Sequence, residues 1–201
     1  MKTFKAALTD LLMGKLWIQW RSGIESAVVP GSGGIVFLGD SLTHCARWDL
    51  MFPGLPTRNF GISGERSDQL LTRLRPIISL KPDKLFLLIG SNDLSRGRTI
   101  EQIGADVAGI LDELGGALPG CKIHLQTVMP RESKFFARIK ALNAVYARIA
   151  AQRGLVLIDL FPLFDDGTGK IRKDVTNDDL HLLGAGYAIW RDALASHLLE
   201  A

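Results

Sequence analysis

Short apolar runs and longer amphipathic stretches alternate along most of this chain. Runs of strand length stand at residues 35–38 (IVFL), 84–89 (KLFLLI), 121–128 (CKIHLQTV) and 155–160 (LVLIDL), with a weaker candidate at 57–60. Between them, helical spacing marks residues 67–78, 99–114, 137–152 and 184–199. Thr99, with Gln102 three residues later, is a capping-box signal, and Ile100, Ile103, Val107, Ile110, Leu111 and Leu114 supply the stripe that such a helix buries. Repeated strand–helix alternation predicts an α/β fold: a five-stranded parallel sheet with helices on both faces, in a three-layer α/β/α sandwich. Its strands, covered on both sides, are near-continuous apolar runs. The fourth run is the least regular, because Lys122, His124 and Gln126 introduce polar alternation.

Ahead of this pattern, Phe4, Leu8, Leu11, Leu12, Leu16 and Trp20 recur at helical spacing over residues 4–20, and a polar, glycine-bearing connector follows at 30–34. The expected organisation is a single domain over 1–201, with a helix and connector in 1–34 and the core in 35–201. A length of 201 residues, 47% of them hydrophobic, suits one core. Thr9, Asp10, Gly14 and Lys15 interrupt the apolar residues near the start, so neither a signal peptide nor a membrane span is expected, and the reading is a soluble, cytoplasmic protein. The formal charge of +3 is dispersed, which argues against a nucleic-acid partner. Cys45 and Cys121 form no CxxC or Cys/His pair, so neither a disulfide framework nor a structural metal is expected, and a reducing compartment fits.

In an open parallel sheet, ligands bind at the carboxyl ends of the strands. After the first predicted strand comes Gly39-Asp40-Ser41-Leu42, after the second Asn59-Phe60-Gly61-Ile62-Ser63-Gly64, and after the third Gly90-Ser91-Asn92-Asp93. Beyond the fifth, at the far end of a long connection, stands Asp178-Asp179-Leu180-His181. Each block alone is an ordinary turn or cap; together they put a nucleophile, oxyanion donors and an acid–base pair on one edge. A serine hydroxyl needs a base to take its proton, and neutral imidazole suits that task. Ser41 is therefore the candidate nucleophile, His181 the base and Asp178 the carboxylate that orients it, with Asp159 as a rival acid. Ser41 N–H, Gly61 N–H and the Asn92 amide are the candidate oxyanion donors. Arg131, Phe135 and Phe136, in the loop after the fourth strand, are candidates for substrate contact. His44, His124 and His197 read as cap, strand-face and helix-surface residues, and Trp17 and Trp20 as residues that pack the first helix onto the sheet.

These four blocks, in this order, resemble those of the SGNH or GDSL-type serine hydrolases, over residues 35–199. With Met129-Pro130-Arg131 after the fourth strand, they look most like the branch that holds the platelet-activating-factor acetylhydrolase catalytic subunits. The resemblance implies a flavodoxin-like strand order 2-1-3-4-5. It implies a cofactor-free serine esterase acting on a small ester through an acyl-serine, with short-acyl esters of a sugar or lipid expected first. A lysophospholipase or acyl thioesterase is the alternative, an inactive binding module a third reading, and a homodimer stays open. The elbow G-x-S-x-G of α/β-hydrolases is absent, since Thr43 holds its last position. Dinucleotide and phosphate-loop fingerprints fail as well.

Overall fold

The computed structural model describes residues 4–199, with side chains from Leu12 onward. A long helix, α1 (Phe4–Ala27), precedes β1 (Ile35–Gly39), and the short helices α2 (Ser41–Cys45) and α3 (Trp48–Met51) lead to β2 (Thr57–Gly61). Then come α4 (Ser67–Leu71), α5 (Leu74–Leu80), β3 (Lys84–Leu88), α6 (Ser91–Ser95) and α7 (Ile100–Ala117). The chain closes with β4 (Lys122–Gln126), α8 (Phe136–Arg153), β5 (Val156–Ile158), α9 (Phe161–Phe164) and α10 (Gly184–Leu199). All pairings are parallel and the order is β2-β1-β3-β4-β5, as expected. The chain runs outward from β1 to β2 and then crosses back to β3, so the ends of β1 and β3 flank the crevice where strand order reverses.

Successive residues of a strand face opposite sides of the sheet, and here both sides are covered. Val36, Leu38, Leu85, Leu87 and Leu125 pack with Leu74 and Ile77 of α5, Val107 of α7 and Leu142 of α8. Ile35, Phe37, Phe86 and Leu88 face the other core, with Trp48, Trp190 and Leu194. There the Trp48 ring stacks on Phe37 at 3.7 Å, and Trp190 meets Trp48 edge-on at 5.0 Å. Lys84, buried at the start of β3, donates Nζ–H bonds to the carbonyls of His197 (3.0 Å) and Leu198 (2.8 Å), closing the end of α10 where carbonyls lack helical partners.

Three predicted elements differ from the structure. The helix expected over 67–78 is two, α4 and α5, because Pro76 has no N–H and its ring would strike the Thr72 carbonyl of a continuous helix. β5 is three residues long, and the long link after it contains α9 and isolated bridges joining Arg131 to Lys170, Asp165 to Ile171 and Thr176 to Leu182. Helix α1 runs to Ala27, and Leu12 and Leu16, expected on its buried stripe, are exposed. Its docking face carries Trp17 and Arg21, whose polar tips meet polar groups of the loop and helix after β2, Trp20, whose ring meets the His44 ring edge-on, and Ile24, which packs on the core. Phe4, Leu8 and Leu11 lie outside the described side chains.

Candidate active site

Ser41 opens α2 directly after β1 and is nearly buried. Asp40 caps that helix, its Oδ1 accepting the Leu42 N–H at 3.0 Å. The Asp40 carboxyl is only 1% exposed, and desolvation pushes its pKa up to about 7, against the pull of the Leu42 N–H. Protonation therefore favours the folded state: the stability linked to this group is present below its ordinary pKa of 3.8 and is lost as pH rises through about 7. Asp40→Asn keeps the acceptor for Leu42 and removes the buried charge. Its expected result is a Tm raised by several degrees at about pH 8 and little changed at about pH 3. Thermal melts at both pH values check this; an equal shift at both would contradict it.

His181 Nε2 lies 3.0 Å from Ser41 Oγ, and His181 Nδ1 lies 2.7 Å from Asp178 Oδ2. The turn that makes this contact is built by Asp178 itself, whose Oδ1 accepts the N–H groups of His181 (2.7 Å) and Leu180 (3.0 Å). Asp179 takes a left-handed conformation (φ 62°), and its carboxylate pairs with Lys170 at 3.1 Å. The Thr176–Leu182 bridge closes the turn, and Tyr187 on α10 donates its hydroxyl to the Leu42 carbonyl at 2.9 Å. Burial alone would raise the Asp178 pKa, but the bonds from the His181 ring and from the two N–H groups outweigh it and hold it at about 2. The structure thus joins Ser41, His181 and Asp178 in one hydrogen-bonded chain. Asp159, the rival acid, instead accepts Thr127 Oγ1–H at 2.9 Å and ties the ends of β4 and β5 together.

Asn92, in α6, donates one Nδ2–H to the Glu65 carbonyl at 3.0 Å, which leaves the second amide hydrogen for a ligand. The Gly61 N–H, expected as an oxyanion donor, is already taken: it donates to Asn59 Oδ1 at 3.0 Å. Asn59 also donates to the His44 and Ala46 carbonyls, and a Cβ on Gly61 would lie 2.2 Å from the His44 nitrogen. Gly61 is there so that β2 can lie against α2. Gly64, at φ 77°, occupies a conformation that a residue with a Cβ rarely adopts, and it adjoins the Asn92–Glu65 contact. Asp93 anchors the same region, accepting from the Ser67 N–H and hydroxyl.

The structure places Arg131, Phe135 and Phe136 in supporting positions, contrary to expectation. Arg131 is buried; it donates to the Ser91 carbonyl (3.2 Å) and Ser95 Oγ (2.6 Å) and pairs with Glu132 at 2.7 Å. Its guanidinium thereby clamps α6, which carries Asn92, and stacks on the Phe135 ring at 4.2 Å. Phe135 packs on the core, and Phe136 lies over Gly169 and beside Phe161. Trp17 contacts the loop after β2 through Glu65, and Trp20 contacts α2 through His44, instead of the sheet. The buried pair Glu65–Arg73 has no counterpart among the sequence expectations.

Between α1 and these loops opens a cleft of about 590 Å³. Met13, Gly14 and Trp17 form its α1 side, and Ser63, Gly64, Gln69, Ser95 and three arginines face them. Ser63 and Gly64 of this lining immediately precede Glu65, and Ser95 lies one turn past Asn92, while Ser41, Asn92 and His181 are not among the residues that line it. Among the described residues no helix is long and apolar enough to cross a membrane.

Residues 37–189 match the model of the GDSL-like lipase/acylhydrolase family. The chain is 29% identical over 176 residues to the platelet-activating factor acetylhydrolase IB subunit alpha1 of Pongo abelii, covering 83% of this chain and 75% of that protein. A structure from Streptococcus pneumonia, described in terms of a platelet activating factor, superposes with a TM-score of 0.88 at 24% identity, over 98% of this chain and 100% of that one. The acetyl xylan esterase AlAXEase superposes with a TM-score of 0.71 at 21% identity, over 82% and 99%. With three-quarters of its length matched and the strand-end blocks in place, the chain belongs to the GDSL-like lipase/acylhydrolase family, whose members hydrolyse carboxylic esters.

Proposed function

We propose that this protein hydrolyses short-acyl carboxylic esters through an acyl-serine formed on Ser41. The observation that carries this reading is the unbroken chain Ser41–His181–Asp178, at 3.0 and 2.7 Å, beside an Asn92 amide with a hydrogen to spare. Ser41 Oγ attacks the ester carbonyl as His181 Nε2 takes its proton, and the Asp178 carboxylate holds the resulting imidazolium. The oxyanion accepts from Ser41 N–H and Asn92 Nδ2–H, with Gly64 taking the place that Gly61 cannot fill. Collapse expels the alcohol, protonated by His181. Water, activated by the same imidazole, then releases the acid from the acyl-serine.

The side chains of the neighbouring cleft suit a hydroxyl-rich alcohol, such as a sugar, better than a lipid chain. Its indole and thioether wall faces side chains rich in donors and acceptors, which hydroxyl groups satisfy and a hydrocarbon would leave without water. The relatives named for acetyl esters, the acetylhydrolase and the acetyl xylan esterase, agree with a small acyl group. Cys45 and Cys121 are free thiols, which fits a reducing cytoplasm.

A fluorophosphonate probe is expected to label Ser41 and to block turnover of p-nitrophenyl acetate. Peptide mass spectrometry finding no label in folded protein, or a label on another serine, refutes the mechanism. Faster turnover of dodecanoyl than acetyl esters would instead favour the lysophospholipase or thioesterase reading.

A further inference from the structure

Helix α1 lies outside the family-matched residues, yet it rests on the loop after β2. Trp17 donates Nε1–H to Glu65 Oε1 at 2.9 Å, Arg21 donates to the Thr72 hydroxyl and carbonyl, and the Trp20 ring meets His44 at 5.1 Å. The Glu65 side chain has no solvent exposure. Arg73 closes it from the other side through Nε at 2.6 Å and Nη2 at 2.5 Å, and the same Nη2 donates to the Phe60 carbonyl at 2.7 Å. Residue 65 therefore has two jobs in one place: its carboxylate is held by α1 and Arg73, and its carbonyl holds the Asn92 amide.

We propose that α1 is part of the active site and that Trp17 is a positioning residue for Asn92, acting through Glu65; this rests on reading Asn92 as an oxyanion donor. An amide side chain rotates about its last torsion until something fixes it, and here the fixing group is one backbone carbonyl. Arg73 ties the carboxylate to the Phe60 carbonyl at the end of β2, on the sheet side of the loop. Trp17 comes from a separate helix and gives Glu65 an external reference point. Without its N–H, Oε1 keeps only Arg73, the tie between this loop and α1 is lost, and the carbonyl beneath Asn92 is free to shift with the loop. A displacement of about 0.5 Å at an oxyanion donor is enough to lower a rate.

The test is a double-mutant cycle of wild type, Trp17→Phe, Asn92→Ala and the double variant, with kcat and KM for p-nitrophenyl acetate and the Tm of each. Asn92→Ala is expected to lower kcat by about 10² to 10³-fold. Trp17→Phe is expected to lower kcat by about tenfold with KM nearly constant, and to have almost no further effect once Asn92 is alanine. Trp17→Leu, a second variant without the donor, is expected to follow the same pattern if Phe disturbs packing. A kcat unchanged by both Trp17 variants, or a loss of equal size on both backgrounds, overturns the positioning role. If Asn92→Ala itself leaves kcat unchanged, the oxyanion reading falls and takes this proposal with it.

Discussion

Asp178→Asn is expected to lower kcat by about 10⁴-fold while the protein stays folded. The carboxamide oxygen can still accept the Leu180 and His181 N–H groups, so the turn carrying the imidazole survives. What is lost is the charge 2.7 Å from His181 Nδ1, which in the proposed mechanism fixes the tautomer that leaves Nε2 free to take the Ser41 proton and stabilises the imidazolium once it forms. The stability cost is small, because the Asp178 side chain is 48% exposed and solvent screens the pair. With its pKa held at about 2, Asp178 remains ionised through the working pH range and contributes no acid limb there. Steady-state kinetics on p-nitrophenyl acetate, beside a thermal melt, checks the prediction. Asp159→Asn is the control, because Asp159 serves Thr127 and the β4–β5 junction; a variant of Asp178 within tenfold of wild type, with a crippled Asp159 variant, would exchange their roles.

The strand-end blocks were legible in the sequence because parallel sheets put ligands at one edge, and Ser41, Asn92, Asp178 and His181 each follow a recognisable run or share a short spacing. Which N–H of the glycine loop faces outward was harder to read. Asn59 and Gly61 have the spacing of an Asx contact, a signal that the Gly61 N–H is already engaged. Pro76 was a similar signal against one helix over 67–78, masked by the apolar periodicity on both sides of it. Arg131, near a strand end, is a candidate for substrate contact from the sequence, and only the fold shows its partners Ser91 and Ser95, 40 and 36 residues away in sequence. The Trp17–Glu65 bond spans 48 residues and depends on where α1 docks, which local periodicity does not encode. Local patterns predict elements and strand-end loops; the contacts that hold those loops rigid are long-range and polar, and follow from packing.

Arg73→Met is expected to cost about 3 to 5 kcal/mol of stability, the range for breaking one side of a buried ion pair. Its guanidinium and the Glu65 carboxylate are 2% and 0% exposed, so water cannot replace the lost partner. The variant also removes one donor from the Phe60 carbonyl, at the peptide that leads into Gly61. The penalty depends on pH in a definite direction. Desolvation already raises the Glu65 pKa above its ordinary value, against the pull of Arg73 and Trp17, and losing Arg73 raises it further. A raised carboxylate pKa means stability that is present below the ordinary value of 4.5 and lost as pH rises through the folded value. The Tm deficit of Arg73→Met is therefore larger at about pH 8 than at about pH 5. Adding Glu65→Gln removes the stranded charge while keeping an acceptor for Trp17, and should recover much of the loss at the higher pH. Nearby Arg21 lowers the Glu65 pKa in both backgrounds, so it does not alter the sign. Denaturation of the two variants and the wild type at both pH values decides the matter: a deficit independent of pH, or one that Glu65→Gln deepens, would show that the pair acts through shape alone and that the stability of the loop after β2 does not depend on its charge.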